Sequence, residues 1–145
     1  MSKKLQVAII GGGAAGFFAS ISVSRHHPES RVVIFEKTSK LLSKVKVSGG
    51  GRCNVTNACF SESKLSKNYP RGGKQLKKAF SIFQATDTVE WFESRGVKLK
   101  AEADNRMFPI TDSSQTIINC LIREAEKAGI ETRLRTAVGK MEKND

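Results

Sequence analysis

Leu5-Gln-Val-Ala-Ile-Ile-Gly-Gly-Gly-Ala-Ala-Gly16, followed 15 residues later by Arg31-Val-Val-Ile-Phe-Glu36, decides the fold. Leu5–Ile10 is a short apolar run, partly β-branched and ended by glycines, as a buried strand requires. Ala14–His27 then suits a helix stopped by Pro28, and Arg31–Glu36 reads as a second buried strand. Strand, glycine turn, helix and strand within about 36 residues form a βαβ unit, the opening of a parallel sheet. Gly11, Gly13 and Gly16 match G-x-G-x-x-G in the one context that gives each glycine a task. Gly11 permits the tight turn, Gly13 lets a diphosphate reach the backbone, and Gly16 allows the helix to pack closely on the strands. The free amides around Ala14 and Ala15 offer a diphosphate hydrogen bonds and partial positive charge. Glu36, 20 residues after Gly16, stands where a carboxylate accepts hydrogen bonds from the adenosine ribose. These residues predict a dinucleotide site.

The fingerprint alone serves both FAD and NAD, although an acid at position 36 repels the extra phosphate of NADP. A second glycine loop, Ser48-Gly-Gly-Gly-Arg-Cys-Asn-Val-Thr-Asn57, adds a further contact zone. Its exposed amides, with Arg52, Asn54, Thr56 and Asn57, could address a flavin's pyrimidine edge or its ribityl chain. The competing view is an ordinary flexible loop, since Gly and Asn are common loop formers.

Working outward, Leu41–Val47 is ambiguous between a helical turn and an extended segment, and Phe60–Gly73 reads as an exposed connection. Lys74–Phe83 and Thr88–Arg95 suit helices, the second closed by Gly96. Val97–Lys100 suits a short strand. Asp112 and Gln115 form a capping-box pattern ahead of a helix over Ser113–Ala128, which Gly129 ends. Ile117, Ile118, Leu121, Ile122, Ala125 and Ala128 share one face of it. Ile130–Thr136 reads as a third strand. Met107 and Phe108 are expected core anchors, and Phe80, Phe83, Val89, Trp91 and Phe92 are expected to pack helices.

The chain has 145 residues, 39% of them hydrophobic, and a net charge of +11. That composition is globular, and the length supports a core without disulfide help. Three cysteines, an odd number, point to a reducing compartment, and so to a cytoplasmic protein. Cys53 and Cys59 lack zinc-site spacing, so no metal is expected. The same pair could form a flavin-coupled dithiol, although unlinked thiols are the commoner outcome. His26 and His27 are expected to stabilise the last carbonyls of a helix. The basic start and apolar run of residues 1–23 imitate a leader peptide, but three glycines in its middle argue for soluble structure with no membrane span. Residues 1–57 hold nine basic and two acidic groups, residues 58–100 nine and four, and residues 101–145 seven and eight. Such a surplus can mark a nucleic-acid surface, yet aromatics do not interleave with the cations in the sequence, so nucleic acid ranks last among partners. A small-molecule substrate ranks first, and the oligomeric state is not legible.

Lys44-Val-Lys-Val-Ser-Gly-Gly-Gly-Arg-Cys-Asn-Val-Thr-Asn57, with the Gly11–Gly16 turn and the Val-Ile-Phe-Glu-Lys run ending at Lys37, closely resembles the BaiN-like flavoproteins. These are the aminoacetone oxidase family of FAD-binding, NAD(P)/FAD-dependent oxidoreductases. Gly96–Lys100 and Arg106–Pro109 are also similar. The resemblance implies an α/β, Rossmann-like FAD-binding domain with a parallel sheet, of the two-dinucleotide-binding-domain flavoprotein type. It implies bound FAD, NAD(P)H as electron donor and an unassigned substrate. By position, Gly11, Gly13, Ala14, Ala15 and Gly16 would hold the diphosphate, and Glu36 with Lys37 the ribose. Lys44 and Ser48, Gly49, Gly50, Gly51, Arg52, Cys53 and Asn54 would flank the ribityl chain and flavin, and Val138 would grip the adenine. If flavin binds, Arg52 ahead of Lys44 is the expected cation near its reduced edge. No side-chain acid or base is assigned, so the catalytic residues stay unknown. Family members are longer, with an inserted domain and a C-terminal return. Residues 1–145 therefore read as the N-terminal part of such a domain, not expected to turn over alone. The NAD-binding module of a dehydrogenase is the alternative.

Overall fold

The computed structural model describes residues 4–143. They fold as two compact units, one from residues up to Lys46 and from Ile118 onward, the other from Val47–Ile117.

The first unit is built on three parallel strands, β1 (Gln6–Ile10), β2 (Arg31–Phe35) and β6 (Glu131–Arg133), in the order β1-β2-β6. The register runs from Gln6 opposite Arg31 to Ile10 opposite Phe35, and from Val33 opposite Glu131 to Phe35 opposite Arg133. Being central, β2 is the apolar strand, with Val32, Val33 and Ile34 buried. Helix α1 (Ala14–His26) lies against β1 and β2 and buries Phe17 and Ile21. Both histidines bond its last carbonyls as expected, the His26 Nδ1–H donating to Ser22 O at 2.8 Å and the backbone N–H of His27, the C-cap, to Val23 O at 2.8 Å. Leu41–Val47 resolves as a helical turn, α2 (Ser43–Val47), with Val45 buried.

The second unit carries an antiparallel sheet that the sequence reading did not anticipate. Its strands β3 (Thr56–Asn57), β4 (Leu99–Ala101) and β5 (Arg106–Pro109) lie in the order β3-β5-β4. Met107 and Phe108 are core anchors, as expected, but they sit on a strand. The expected exposed connection contains a helix, α3 (Glu62–Lys67), because Leu65 and Ser66 find a buried face. Helices α4 (Gly73–Phe80) and α5 (Ala85–Glu93) follow. Gly96 closes α5, its N–H donating to Glu93 O and the Val97 N–H to Phe92 O.

Helix α6 (Ser114–Lys127) passes from the second unit into the first. Its apolar stripe buries Ile117, Ile118, Leu121 and Ala125, whereas Ala128 is exposed beyond its last turn. The expected Asp112 cap is corrected. Asp112 has φ 51, outside the extended backbone of an N-cap, and its carboxylate pairs with Lys100. Ser113 Oγ instead accepts the Gln115 N–H. Among the described residues no helix is long and apolar enough to cross a membrane.

Candidate functional site: a helix-start turn, its acid and a second glycine loop

Parallel strands place the first site. Ile10 and Phe35 are register partners at the strand ends, so the chain after each enters the same crevice. Gly11 N–H donates to Phe35 O at 2.8 Å, which ties the turn to β2. Gly13 then caps α1 with extended backbone and no side-chain partner for the first-turn amides, and Phe17 N–H is the first to close a helical bond, to Gly13 O. Ala14, Ala15 and Gly16 thus start the helix with N–H groups free for a ligand. Gly13, Ala14 and Ala15 are exposed. A Cβ on Gly13 would meet nothing within 4 Å, leaving open space over the turn, whereas one on Gly16 would lie 2.0 Å from Gly11 O. Gly16 is required by helix–strand contact, and Gly13 is spare for an incoming group.

Glu36 follows β2 directly. One of its oxygens accepts the Gly12 N–H at 2.9 Å, and the other accepts the Thr38 N–H at 2.8 Å. The Thr38 and Gly12 amides together hold the carboxyl below its ordinary value, so it stays ionised. Each carboxylate oxygen keeps a lone pair for a ribose hydroxyl. Sequence reasoning gave Gly12 no role. The structure buries it between Glu36 and Leu41, with its carbonyl accepting the Leu42 N–H at 2.8 Å. The segment after β6 joins the same crevice, because Arg135 N–H donates to Thr38 O and Thr136 N–H to Glu36 O. Val138, two residues on, is exposed in this unit, as are Lys37 and Lys44.

The second loop stands in the other unit. Ser48–Gly51 forms a short 3₁₀ turn with Gly49 and Gly50 left-handed, and Cys53 is left-handed as well, at φ 63. The Cys53 N–H closes the loop on Ser48 O, and the Val55 N–H donates to Met107 O in β5. Phe108 is the bolt. It is fully buried, with Gly49 packed on its edge and the Arg52 guanidinium 4.1 Å from its ring centroid. Arg52 also pairs with Glu102 and lies 3.7 Å from Asp112. The Glu102 hydrogen bond, above all, raises the guanidinium pKa. Glu102 was invisible to sequence reasoning, because its partner lies 50 residues away. Asn54, by contrast, is exposed.

Cys53 and Cys59 are both free thiols. Burial pushes the Cys53 thiol pKa up, which disfavours the thiolate that dithiol exchange needs. Among the described residues no three metal-ligating side chains cluster. Phe80 packs as expected, its ring on Tyr69 with centroids 5.7 Å apart, whereas Phe83 is exposed. With Tyr69 and Leu65 they line a cavity of about 370 Å³, whose remaining wall includes Asn54, Thr56, Asn57, Gln84 and Thr88.

Residues 5–145 match the HI0933-like protein Rossmann domain. The chain belongs to this family of FAD-binding flavoprotein domains. It is 29% identical over 138 residues to a 3-dehydro-bile acid delta(4,6)-reductase of Clostridium scindens, covering 94% of this chain and 33% of that protein. It is also 29% identical over 143 residues to a ribosomal RNA dihydrouridine synthase of Escherichia coli, covering 99% of this chain and 34% of that protein. Among solved structures, the open conformation of a flavocytochrome c3 fumarate reductase superposes with TM-score 0.60 and 26% identity, over 92% of this chain and 27% of that one. The chain thus spans about a third of the length of its curated relatives.

Proposed function

We propose that this chain holds FAD for an oxidoreductase that takes electrons from NAD(P)H and reduces a carbon–carbon double bond. The observation that carries the proposal is the Glu36 carboxylate hydrogen-bonded to the Gly12 amide, beside a helix start whose amides at Ala14, Ala15 and Gly16 are unclaimed. In this reading those amides take the diphosphate, and Glu36 with Lys37 takes the adenosine ribose. Val138 borders the adenine. The backbone of Ser48–Asn54, exposed at Gly50 and Asn54, with Lys44, meets the ribityl chain and flavin. Arg52 acts through its charge rather than by direct contact, because Glu102 and Phe108 already occupy its guanidinium.

Bound FAD would supply hydride transfer, and the chain's own groups would supply position and field. The double bond is proposed because the names of the relatives share it. Fumarate, a delta(4,6) steroid and the uridine precursor of dihydrouridine each offer an alkene activated by a carbonyl.

The test is the visible spectrum of the purified protein, followed by anaerobic addition of NADPH. A yellow protein absorbing near ~450 nm that bleaches with NADPH supports both parts of the reading. A colourless protein that binds NAD would instead make the chain a dehydrogenase module. A yellow protein indifferent to NADPH and NADH would keep the FAD and remove the donor.

A further inference from the structure

Positive charge collects in one stretch of the second unit. Between residues 58 and 86 stand Lys64, Lys67, Arg71, Lys74, Lys77 and Lys78, with Glu62 the single acid. All six cations are exposed, on α3, on α4 or between them. No ion pair claims any of the six among the described residues. The cations around Phe108, by contrast, are all taken: Arg52 by Glu102, Lys100 by Asp112 and Arg106 by Asp104. At 3.6 residues per turn, Lys74, Lys77 and Lys78 share an arc of about 100° on α4. Gly73, Leu76 and Phe80 lie on its other side and are half-buried, and a Cβ on Gly73 would stand 2.7 Å from Ser66 O in α3. The helix is thus pressed onto its neighbour by one side and presents unpaired charge on the other.

Exposed apolar side chains flank that charge. Ile82, in the turn that ends α4, is 79% exposed, and Phe83 and Tyr69 are exposed as well. The Ile82 and Phe83 N–H groups both donate to Ala79 O, which holds the turn to the helix. Tyr69 packs its ring on Phe80, with centroids 5.7 Å apart, and so reaches the same end of α4. The result is an apolar tip beside a cationic helix face. A cationic face alone attracts any polyanion, and the tip selects among them. A nucleic acid would use the rings of Tyr69 and Phe83 but not Ile82, which offers neither a stacking plane nor a hydrogen bond. The interface of an anionic bilayer uses all of them. Its headgroup phosphates meet the lysines, and the apolar tip enters the acyl boundary, with the tyrosine hydroxyl kept at headgroup depth.

We infer that α4 and the turn at its C-terminal end form a docking surface for anionic membranes, with Lys74, Lys77 and Lys78 on the headgroups and Ile82 inserted beneath them. One apolar tip and about half a dozen basic residues give reversible adsorption rather than permanent anchoring. Docking of this kind needs neither flavin nor substrate, so it goes beyond the functional reading and does not rest on it.

The experiment sediments the purified protein with vesicles of phosphatidylcholine alone and with vesicles carrying about a third phosphatidylglycerol, at salt from about 50 to 200 mM, with flavin absorbance recorded on the same samples. Expected is binding to the anionic vesicles only, weakening as salt rises. The double variant Lys74→Glu, Lys78→Glu reverses two charges and should cost more than about tenfold in affinity. Ile82→Ser should bind about fivefold more weakly with the same salt dependence, and Ile82→Leu should bind as the wild type does. Ile82→Trp should shift its emission to the blue on anionic vesicles, beyond any change in the wild type, whose only tryptophan is Trp91. All three positions are exposed, so each variant should keep its circular dichroism. The proposal is overturned by no sedimentation with anionic vesicles at low salt, by equal binding to neutral ones, or by an Ile82→Ser variant that binds as the wild type does. It is equally overturned if an oligouridylate at equal phosphate concentration displaces the protein from the vesicles, which would make the surface one for nucleic acid. A colourless protein that still docks in this pattern would defeat the flavin reading and leave the membrane surface standing. A yellow protein that does not dock would do the reverse.

Discussion

The Glu36 carboxylate and the Gly12 amide, 24 residues apart, meet at 2.9 Å across the ends of two parallel strands. One side chain thereby fixes the turn proposed to hold a diphosphate and keeps lone pairs that, in that reading, meet a sugar. Replacing it by glutamine keeps the shape, but its side-chain NH2 cannot accept one of the two backbone amides. Glu36→Gln should therefore weaken FAD binding by at least about tenfold, the worth of one charge-assisted hydrogen bond. Equilibrium dialysis against FAD checks this, and unchanged affinity would remove Glu36 from the site.

The same contact fixes a dependence on pH. Its amide partners hold the Glu36 pKa below the ordinary 4.5, so its contribution to stability is complete above that value. It is lost as the pH falls from 4.5 through the lower folded value, where the native carboxylate finally binds its proton. Asp112, held down chiefly by Lys100, and Glu131, held down chiefly by Arg133, act in the same direction. Urea unfolding at pH 7 and at pH 3 should show wild type losing more stability on acidification than Glu36→Gln. Equal losses would mean that the Gly12 and Thr38 contacts do not discriminate between the two protonation states.

Gly16 and Gly13 separate packing from ligand access. A methyl on Gly16 would stand 2.0 Å from a backbone oxygen, so Gly16→Ala should cost about 1–3 kcal/mol in urea unfolding, as overpacking does. A methyl on Gly13 would meet nothing, so Gly13→Ala should fold normally and lose FAD affinity. Were Gly13→Ala to keep its flavin, the diphosphate would not pass over that turn.

How much of this was legible in the sequence follows the range of the interactions. β1, α1, β2, α6 and β6 are local patterns, apolar runs and helical stripes ended by glycine or proline, and each formed close to where it was read. Glu36 was found because strand pairing turns a fixed spacing into proximity. Gly12 and Thr38 escaped because their amides act through the backbone, which side-chain chemistry does not advertise. Of the antiparallel sheet only β4 was read, as a short strand over Val97–Lys100, and the rest escaped because its strands have two to four residues and pair across distant segments: Thr56 with Met107, Ala101 with Met107. Leu65 turned a polar stretch into a helix by finding a buried face. The Tyr69–Phe80 contact needed a helix pair to bring together rings 11 positions apart.

Arg52 is paired where it stands, with Glu102 on its guanidinium and Asp112 3.7 Å away, which offsets part of its charge. Its effect on a flavin therefore depends on its partners. Glu102→Gln should free that positive charge and raise the flavin reduction potential, while Arg52→Ala should lower it. Arg52→Lys should fall between them, since an ammonium keeps the charge but cannot lie as a plane on Phe108. Potentials measured against reference dyes decide this. If all three variants match the wild type, the Arg52 cluster serves the fold alone.

Gly49 and Gly50 offer the sharpest test of the second loop, because both are left-handed and only one is crowded. At Gly50, φ is 68 and an added Cβ would meet nothing within 4 Å. Gly50→Ala should then cost only the left-handed strain of a non-glycine residue, about 1–2 kcal/mol. At Gly49, φ is 56 and the Cβ would lie 2.8 Å from Phe108 Cε1 and 2.9 Å from the Asn54 backbone nitrogen. Phe108 cannot retreat, being fully buried beneath the Arg52 guanidinium, and Asn54 cannot move without dragging the loop that Val55 ties to β5. Gly49→Ala should add an overpacking cost of about 1–3 kcal/mol to the strain, visible as a lower urea midpoint than that of Gly50→Ala at the same slope. Phe108→Leu in the Gly49→Ala background should recover part of the difference by opening space at the ring edge. If the two alanine variants unfold together, Gly49 does not touch Phe108, and the loop is not bolted to β5 in the way the geometry requires.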